Sequence, residues 1–335
     1  MKAARALLSP EADRESMAAD IRAGLTGSPR SLPCYLLYDK RGSELFEAIT
    51  ELPEYYLTRT ELALLERHAG EIADLAGGPR SVIELGAGTG TKTRTILDAV
   101  IARRRPGAVA DPPVAGEPAK PVYYPIDVSR SALDVAARGL ARPGLEIRPL
   151  VGQYADWLPK LVDLPGPRMV VFIGSSLGNY TPEEAKALLE LARRGMGSGD
   201  TFLLGADLRK DEKSLLAAYD DAAGVTAQFS KNVLHRINRE LGADFDLDGF
   251  RHVAEWNPDR SRMELYLEST RVQSITIRDL SLTVDFSDGE RIHTENSYKL
   301  ALEDQLHLLA AAGLSPLASF LADDPSYALH LARRP

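Results

Sequence analysis

Residues 81–93, SVIELGAGTGTKT, decide how the rest of the chain is read. A short apolar strand over 81–85 runs into glycines at 86, 88 and 90, and a helix starts at Thr93. Leaving a strand, turning sharply and entering a helix demands backbone angles that glycine adopts most freely, and glycine also lets a ligand come close to the main chain. The loop reads as a ligand cradle, although a glycine-rich turn that only packs strand on helix has the same letters. A dinucleotide fingerprint spaces its glycines G-x-G-x-x-G, with the pyrophosphate on the helix N-terminus. Here the spacing is G-x-G-x-G, and Glu84 stands just before it.

That combination looks like the cofactor loop of class I S-adenosylmethionine (SAM) methyltransferases. Glu84 would be poorly placed beside a pyrophosphate, whereas a zwitterionic cofactor with an amino group and a sulfonium tolerates it. Composition sets further bounds. The chain has 335 residues, which predicts about two domains. With 44% hydrophobic and 26% charged residues it reads as soluble and globular. A net charge of −8 argues against nucleic-acid binding, which needs a clustered basic face. The dense basic run at 103–105 is explained by the dipole at a helix C-terminus. A single cysteine, Cys34, excludes an internal disulfide and a thiolate-rich metal site, and predicts a reduced, cytoplasmic setting. The opening residues break into charge and proline too early for a secretory leader. No run of about 18 apolar residues is present, so no membrane span is expected.

Apolar spacing predicts a first helix over 11–26, stopped at Gly27-Ser28-Pro29. The segment 35–59 is too aromatic for a linker; a helix start at Ser43 and a stop at Pro53 leave Glu54-Tyr55-Tyr56 on a loop. Thr60 reads as the cap of a second long helix ending at Gly77-Gly78. Strands then alternate with helices, as in a parallel sheet: 81–85, 121–126, 145–150, 168–174 and 201–204, with a Pro/Ala/Gly-rich surface loop at 104–120. After Asp207 the pattern changes to two helical segments and three period-two stretches, at 263–267, 272–277 and 282–286. An amphipathic helix over 299–314 and strands over 316–332 return to the sheet. The expected fold is therefore α/β, a Rossmann-like sheet with helices on both faces and a second α+β domain. The expected domains are 61–209 with 299–335, and 1–60 with 210–298.

Ligands in such sheets bind beyond the carboxyl ends of the strands. Asp127, at the end of the second strand, can accept hydrogen bonds from a ribose diol, or can serve as a plain cap. Lys92 is a cation at a helix start, where the dipole disfavours it; contact with a carboxylate would compensate, and a solvated lysine is the alternative. Gln153-Tyr154 can pair with and lie against an adenine, though a polar pair at a strand end is unspecific. Tyr38, Tyr55, Tyr56 and Tyr219 stand beside acids, and aromatic faces suit an ammonium; half-buried packing explains them equally. Six scattered histidines without an HxxxH pair predict no metal. Ser175-Ser176 does not form G-x-S-x-G, which weighs against a hydrolase.

With these residues laid out, the whole chain resembles the ergothioneine-pathway histidine N-alpha-methyltransferases. The resemblance rests on LYDKRGSELFEAITELPEYYLTRTE from Leu37, ELGAGTGTKT from Glu84, GSSLGN from Gly174, AYDDAAGVTAQFSKN from Ala218, ADFDLDGFRHVAEWN from Ala243 and TENSYKL from Thr294. It implies a SAM-dependent enzyme that trimethylates the α-amino group of L-histidine to hercynine by in-line transfer to a neutral amine in three rounds. Carried over by position, the SAM contacts fall on Gly86, Lys92, Asp127, Gln153 and Tyr154, with Glu84 and Gly88 in the same loop. The histidine contacts fall on Tyr55, Asn179 and Tyr219, with Glu295 and Ser297 reading the imidazole and Asn179 and Tyr219 fixing the carboxylate. Tyr38 matches a tyrosine placed near the amine and is the catalytic candidate. Three positions depart from the family: Ser230 where Asn is more common, Gln153 where an acid is usual, and Leu265 where a methionine lines the side-chain pocket. SAM is the expected methyl donor, with a small-molecule substrate, a monomer, and neither nucleic acid nor membrane as partner. Methylation of another aromatic amino acid, or SAM binding without catalysis, are the alternative functions.

Overall fold

From residue 81 onward the sequence switches from helical spacing to short, fully apolar runs, and these become strands covered on both faces. The computed structural model describes residues 10–103, 120–324 and 326–335. Of the surface loop expected at 104–120, all but Lys120 lies outside the described residues. The first elements are α1 (Pro10–Thr26), β1 (Arg30–Ser31), α2 (Lys40–Thr50) and α3 (Tyr56–Leu75). An alternating series follows: β2 (Ser81–Leu85), α4 (Thr93–Arg103), β3 (Val122–Asp127), α5 (Arg130–Leu140), β4 (Glu146–Ile147), β5 (Leu150–Val151), α6 (Tyr154–Trp157), β6 (Arg168–Phe172), α7 (Pro182–Gly195) and β7 (Thr201–Asp207). After it come α8 (Glu212–Tyr219), α9 (Val225–Leu241), β8 (Phe250–Asn257), β9 (Arg262–Ser269), β10 (Gln273–Ile277), β11 (Leu282–Phe286) and β12 (Arg291–Tyr298). The chain closes with α10 (Leu302–Ala311), β13 (Ser315–Ala322) and β14 (Tyr327–Arg333).

Three local expectations need correction. Helix α2 begins at Lys40, because the Asp39 side chain caps it by accepting the Gly42 N–H at 2.8 Å. Helix α3 begins at Tyr56 and runs through Thr60, since no glycine or proline interrupts that segment. The strand expected over 145–150 splits into β4 and β5 around Pro149, whose nitrogen has no hydrogen for the ladder.

The described residues divide into two compact units, Leu57–Leu208 with Leu300–Pro335, and 10–56 with Arg209–Lys299. In the first, one sheet has the order β13-β14-β7-β6-β2-β3-β4, with β5 also paired to β3. Neighbours from β4 to β7 are parallel, while β14 lies antiparallel between β7 and β13. Strand β2 has β3 on one side and β6 on the other, so the order reverses beside it and opens a crevice at its carboxyl end. This is the class I methyltransferase arrangement. Ile83, Leu85, Tyr124, Val170, Phe172 and Phe202 belong to the apolar core that holds the sheet to its helices.

The second unit is α+β. Its main sheet has the order β1-β12-β9-β8, and β10 pairs with β11 as a separate antiparallel hairpin. Met263, Leu265 and Leu267 alternate along β9 and are buried, giving the sheet one apolar face. Across from them β12 carries a bulge between His293 and Glu295. Ile292 and Thr294 are buried before it, and Glu295 and Ser297 after it. The extra residue changes the phase of the alternation, so Glu295 pairs with Leu265 and Ser297 with Met263.

Candidate active site

The loop after β2 is shaped by its glycines. Gly86, Gly88 and Gly90 have φ of 69°, 50° and 70°, in the left-handed region that other residues avoid. A Cβ on Gly86 would lie 2.6 Å from the Tyr154 hydroxyl. Asp127 fixes the loop to the end of β3: its Oδ2 accepts the Gly88 N–H at 3.1 Å and its Oδ1 the Ser129 N–H at 2.8 Å. Burial raises the Asp127 carboxyl, and those two amides oppose the shift. Gln153 is the cap of α6 in a reciprocal capping box with Asp156. The Tyr154 ring next to it stands edge-on to Phe172 at 5.7 Å.

Glu84 is buried and bonded within the protein, accepting the Thr93 hydroxyl at the start of α4 and the Tyr123 hydroxyl from β3. Burial pushes its carboxyl up to about 7, against the pull of those two hydroxyls and of Lys92. Lys92 donates to Glu61, a fully buried carboxylate on α3. Glu61 also accepts the Gly174 N–H at 2.8 Å and the Tyr327 hydroxyl at 2.6 Å. One carboxylate thereby ties together the glycine-loop helix, the end of β6 and β14. Asn179 belongs to this unit too, half-buried at the end of the turn 176–179 that follows β6.

The second unit gathers an aromatic cluster. Tyr38 packs edge-on against Phe46 at 5.7 Å and Phe229 at 5.3 Å; Tyr55 lies 6.2 Å from Phe46 and 6.4 Å from Tyr219. Burial, then the neighbouring Glu295, pushes the Tyr38 phenol well above its ordinary 10. Glu295 itself is 9% exposed, and its carboxylate has no hydrogen-bond partner among the described residues. Burial pushes it up to about 7, opposed by the charge of Lys299. The Tyr219 hydroxyl lies 2.8 Å from Ser297 Oγ and accepts a hydrogen bond from Lys299 Nζ at 2.8 Å. The Tyr219 carbonyl is held by His252 Nε2 at 2.9 Å, which anchors the end of α8 to β8.

Residues 17–334 match the family model for histidine-specific, SAM-dependent methyltransferases. The chain belongs to this family. It is 43% identical to a histidine N-alpha-methyltransferase of Mycolicibacterium smegmatis, over 92% of this chain and 91% of that protein. A histidine N-alpha-methyltransferase of Mycobacterium tuberculosis is 40% identical over 98% of each chain. Ergothioneine biosynthesis protein 1 of Neurospora crassa is 31% identical over 90% of this chain and 33% of its own length.

In this methyltransferase two residues that the sequence reading passed over are buried and hydrogen-bonded, one in each unit. Glu61 lies 31 residues from Lys92, 113 from Gly174 and 266 from Tyr327. The unfavourable placement of Lys92 is the one signal that a carboxylate must lie nearby. Lys299 is the other, and its signal is the alternation Glu295-x-Ser297-x-Lys299, which puts three polar side chains on one face of an extended segment. Among the described residues no group of three or more His, Cys, Asp or Glu side chains is spaced to hold a metal, and no helix is long and apolar enough to cross a membrane.

Proposed function

We propose that the protein transfers methyl groups from SAM to the α-amino group of L-histidine, three times in succession, giving hercynine for ergothioneine synthesis. The first compact unit serves as the SAM-binding domain and the second as the substrate-binding domain. The observation that carries the substrate is Glu295: a buried carboxylate that accepts no hydrogen bond among the described residues, two residues along the strand from the Ser297 hydroxyl. An imidazole offers one N–H for the first and one bare nitrogen for the second, and an indole or phenol offers no such pair. A small molecule that supplies the missing partner recovers the energy spent on burying the acid.

The glycine cradle fits the cofactor, since Gly86 brings bare backbone against the Tyr154 hydroxyl where any larger side chain would intrude. SAM supplies the methyl group on a sulfonium, a leaving group that needs no acid. Gly86, Gly88, Asp127, Gln153 and Tyr154 hold it, with Glu84 and Lys92 stiffening the loop from behind through Thr93, Tyr123 and Glu61. The remaining work is positioning, which supplies several kcal/mol by fixing reactants in a near-attack arrangement. Tyr55 and Tyr219 orient the amino acid. The raised Tyr38 phenol stays protonated at neutral pH, so it positions the amine and takes no proton from it. The amine sheds its proton to water, and the surrounding aromatic faces tolerate the growing ammonium. The protein acts as a monomer in the cytoplasm and needs no metal.

Incubating the protein with methyl-labelled SAM and a pool of the twenty amino acids tests this reading. Label is expected in histidine alone, carried forward to the trimethylated product. Label in tryptophan or tyrosine at a comparable rate, or in none of the twenty, would overturn it.

A further inference from the structure

Glu61 is fully buried on α3 and paired with Lys92, yet a buried ion pair contributes little net stability because desolvation offsets its attraction. The surroundings are nonetheless built around it. Both carboxylate oxygens accept the Gly174 N–H, at 2.8 and 2.9 Å; Oε1 also accepts the Tyr327 hydroxyl at 2.6 Å, and Oε2 accepts from Lys92 Nζ. A Cβ on Gly205 of β7 would collide with Oε1, and one on Gly174 would lie 3.1 Å from Lys92 Nζ. Two glycines therefore leave the room that the pair occupies. The partners differ in access: the Glu61 side chain is 0% exposed and that of Lys92 23%. A ligand can reach the cation and not the acid.

We propose that Glu61 is a positioning residue for the cofactor: acting through Lys92, it holds the ammonium where the carboxylate of SAM arrives, and so sets a preference for cofactors that carry this carboxylate. The proposal rests on the reading of Lys92 as a SAM contact, and adds the buried acid that places it. Strand order supports the direction. Gln153 and Tyr154 follow β5 and Asp127 ends β3, on one side of β2, while Gly174 follows β6 on the other. A cofactor with its adenine and ribose at the first group directs its amino-acid tail across β2 toward the second. Lysine is a strongly hydrated charge on a flexible four-carbon stem; part-exposed and untethered, it turns to water. One hydrogen given to Glu61 fixes the ammonium, which has others to give. The acid's own charge lies behind the ammonium, so its repulsion of the ligand is weaker than the attraction it aims.

The test is calorimetric titration of the full chain with S-adenosylhomocysteine and with its decarboxylated analogue, in which the amino-acid tail is an aminopropyl chain. Wild type should bind the first at least about tenfold tighter, the value of one charge-assisted hydrogen bond. In Glu61→Gln, which keeps the size and removes the charge, S-adenosylhomocysteine should weaken by about tenfold and the analogue should hold. Lys92→Met should remove the same preference, and in that background Glu61→Gln should take away nothing more, because contacting residues in one network are not additive. If Glu61→Gln does not fold by circular dichroism, Glu61→Asp decides: its carboxylate, one methylene shorter, cannot reach Lys92 and Gly174 together, so the preference should fall. Equal weakening of both ligands marks Glu61 as merely structural and overturns the proposal, as does a preference left unchanged or sharpened. A wild type that binds both ligands alike refutes Lys92 as the carboxylate contact, and one that binds neither refutes the cofactor reading itself.

Discussion

Replacing Glu295 with glutamine should stabilise the protein above neutral pH while weakening its hold on histidine. The magnitude follows from the burial of the carboxylate, which the charge of Lys299 only partly offsets. Its carboxyl rises from an ordinary 4.5 to about 7; at about 1.36 kcal/mol per factor of ten, the ionised form is disfavoured in the folded state by about 3 kcal/mol. The unfolded chain releases this proton near 4.5 and the folded chain near 7. Stability is therefore lost as pH rises between those values and is flat outside them. Glutamine has no charge to bury, so the variant should match wild type at about pH 4 and exceed it by up to about 3 kcal/mol at about pH 8. The same change replaces a charge-assisted hydrogen bond of about 1.5–3 kcal/mol by a neutral one of about 0.5–1.5 kcal/mol, so histidine should bind roughly tenfold more weakly. Urea unfolding at those two pH values reads the first effect and calorimetry the second. A variant less stable than wild type on the alkaline side, or a gain equal at both pH values, would refute the claim that Glu295 is held ionised at a cost. Saturating histidine should close most of the gap for wild type, because a ligand that binds only the folded state stabilises it by mass action.

Two further outcomes are expected. Gly86→Ala should weaken SAM binding by at least about tenfold, since a left-handed non-glycine residue costs about 1–2 kcal/mol and its Cβ would also lie 2.6 Å from the Tyr154 hydroxyl; unchanged SAM affinity by calorimetry would remove the cradle argument. His330 is fully buried between Ser319 and Gln305, and burial pushes its imidazole down to about 4. The unfolded state binds the proton first, so this residue's share of stability, about 3 kcal/mol, is present above about 6.5 and lost as pH falls toward about 4. Denaturant unfolding of His330→Gln should show a flatter acid limb than wild type; an unaltered limb would contradict the assignment.

Much of the first unit is legible in the sequence because its signals are local. The glycine loop, the acid that ends β3 and the apolar strands each show their character within a few residues, and a parallel sheet then forces their carboxyl ends to one edge. The TENSYKL block likewise marks Glu295 and Ser297 by family likeness alone. Helix starts read less well: Asp39 outcompetes Ser43 as a cap because the geometry of its Gly42 bond, and its bond with Asn232 far along the chain, are tertiary facts.

What the tertiary structure alone decides is where the buried charges find partners. Glu84 stands beside the loop in sequence, yet its carboxylate is taken up by Thr93 and Tyr123. Glu61 reads as an ordinary helix acid until folding brings Lys92, Gly174 and Tyr327 around it. In β12, strict alternation from Ile292 would have put Thr294, Asn296 and Tyr298 inward and Glu295, Ser297 and Lys299 outward. The bulge at 293–295 reverses that phase. A bulge inserts a single residue against a partner strand, so its position is fixed by the register with β9 and by the apolar face that register must keep covered, neither of which is written in β12 itself.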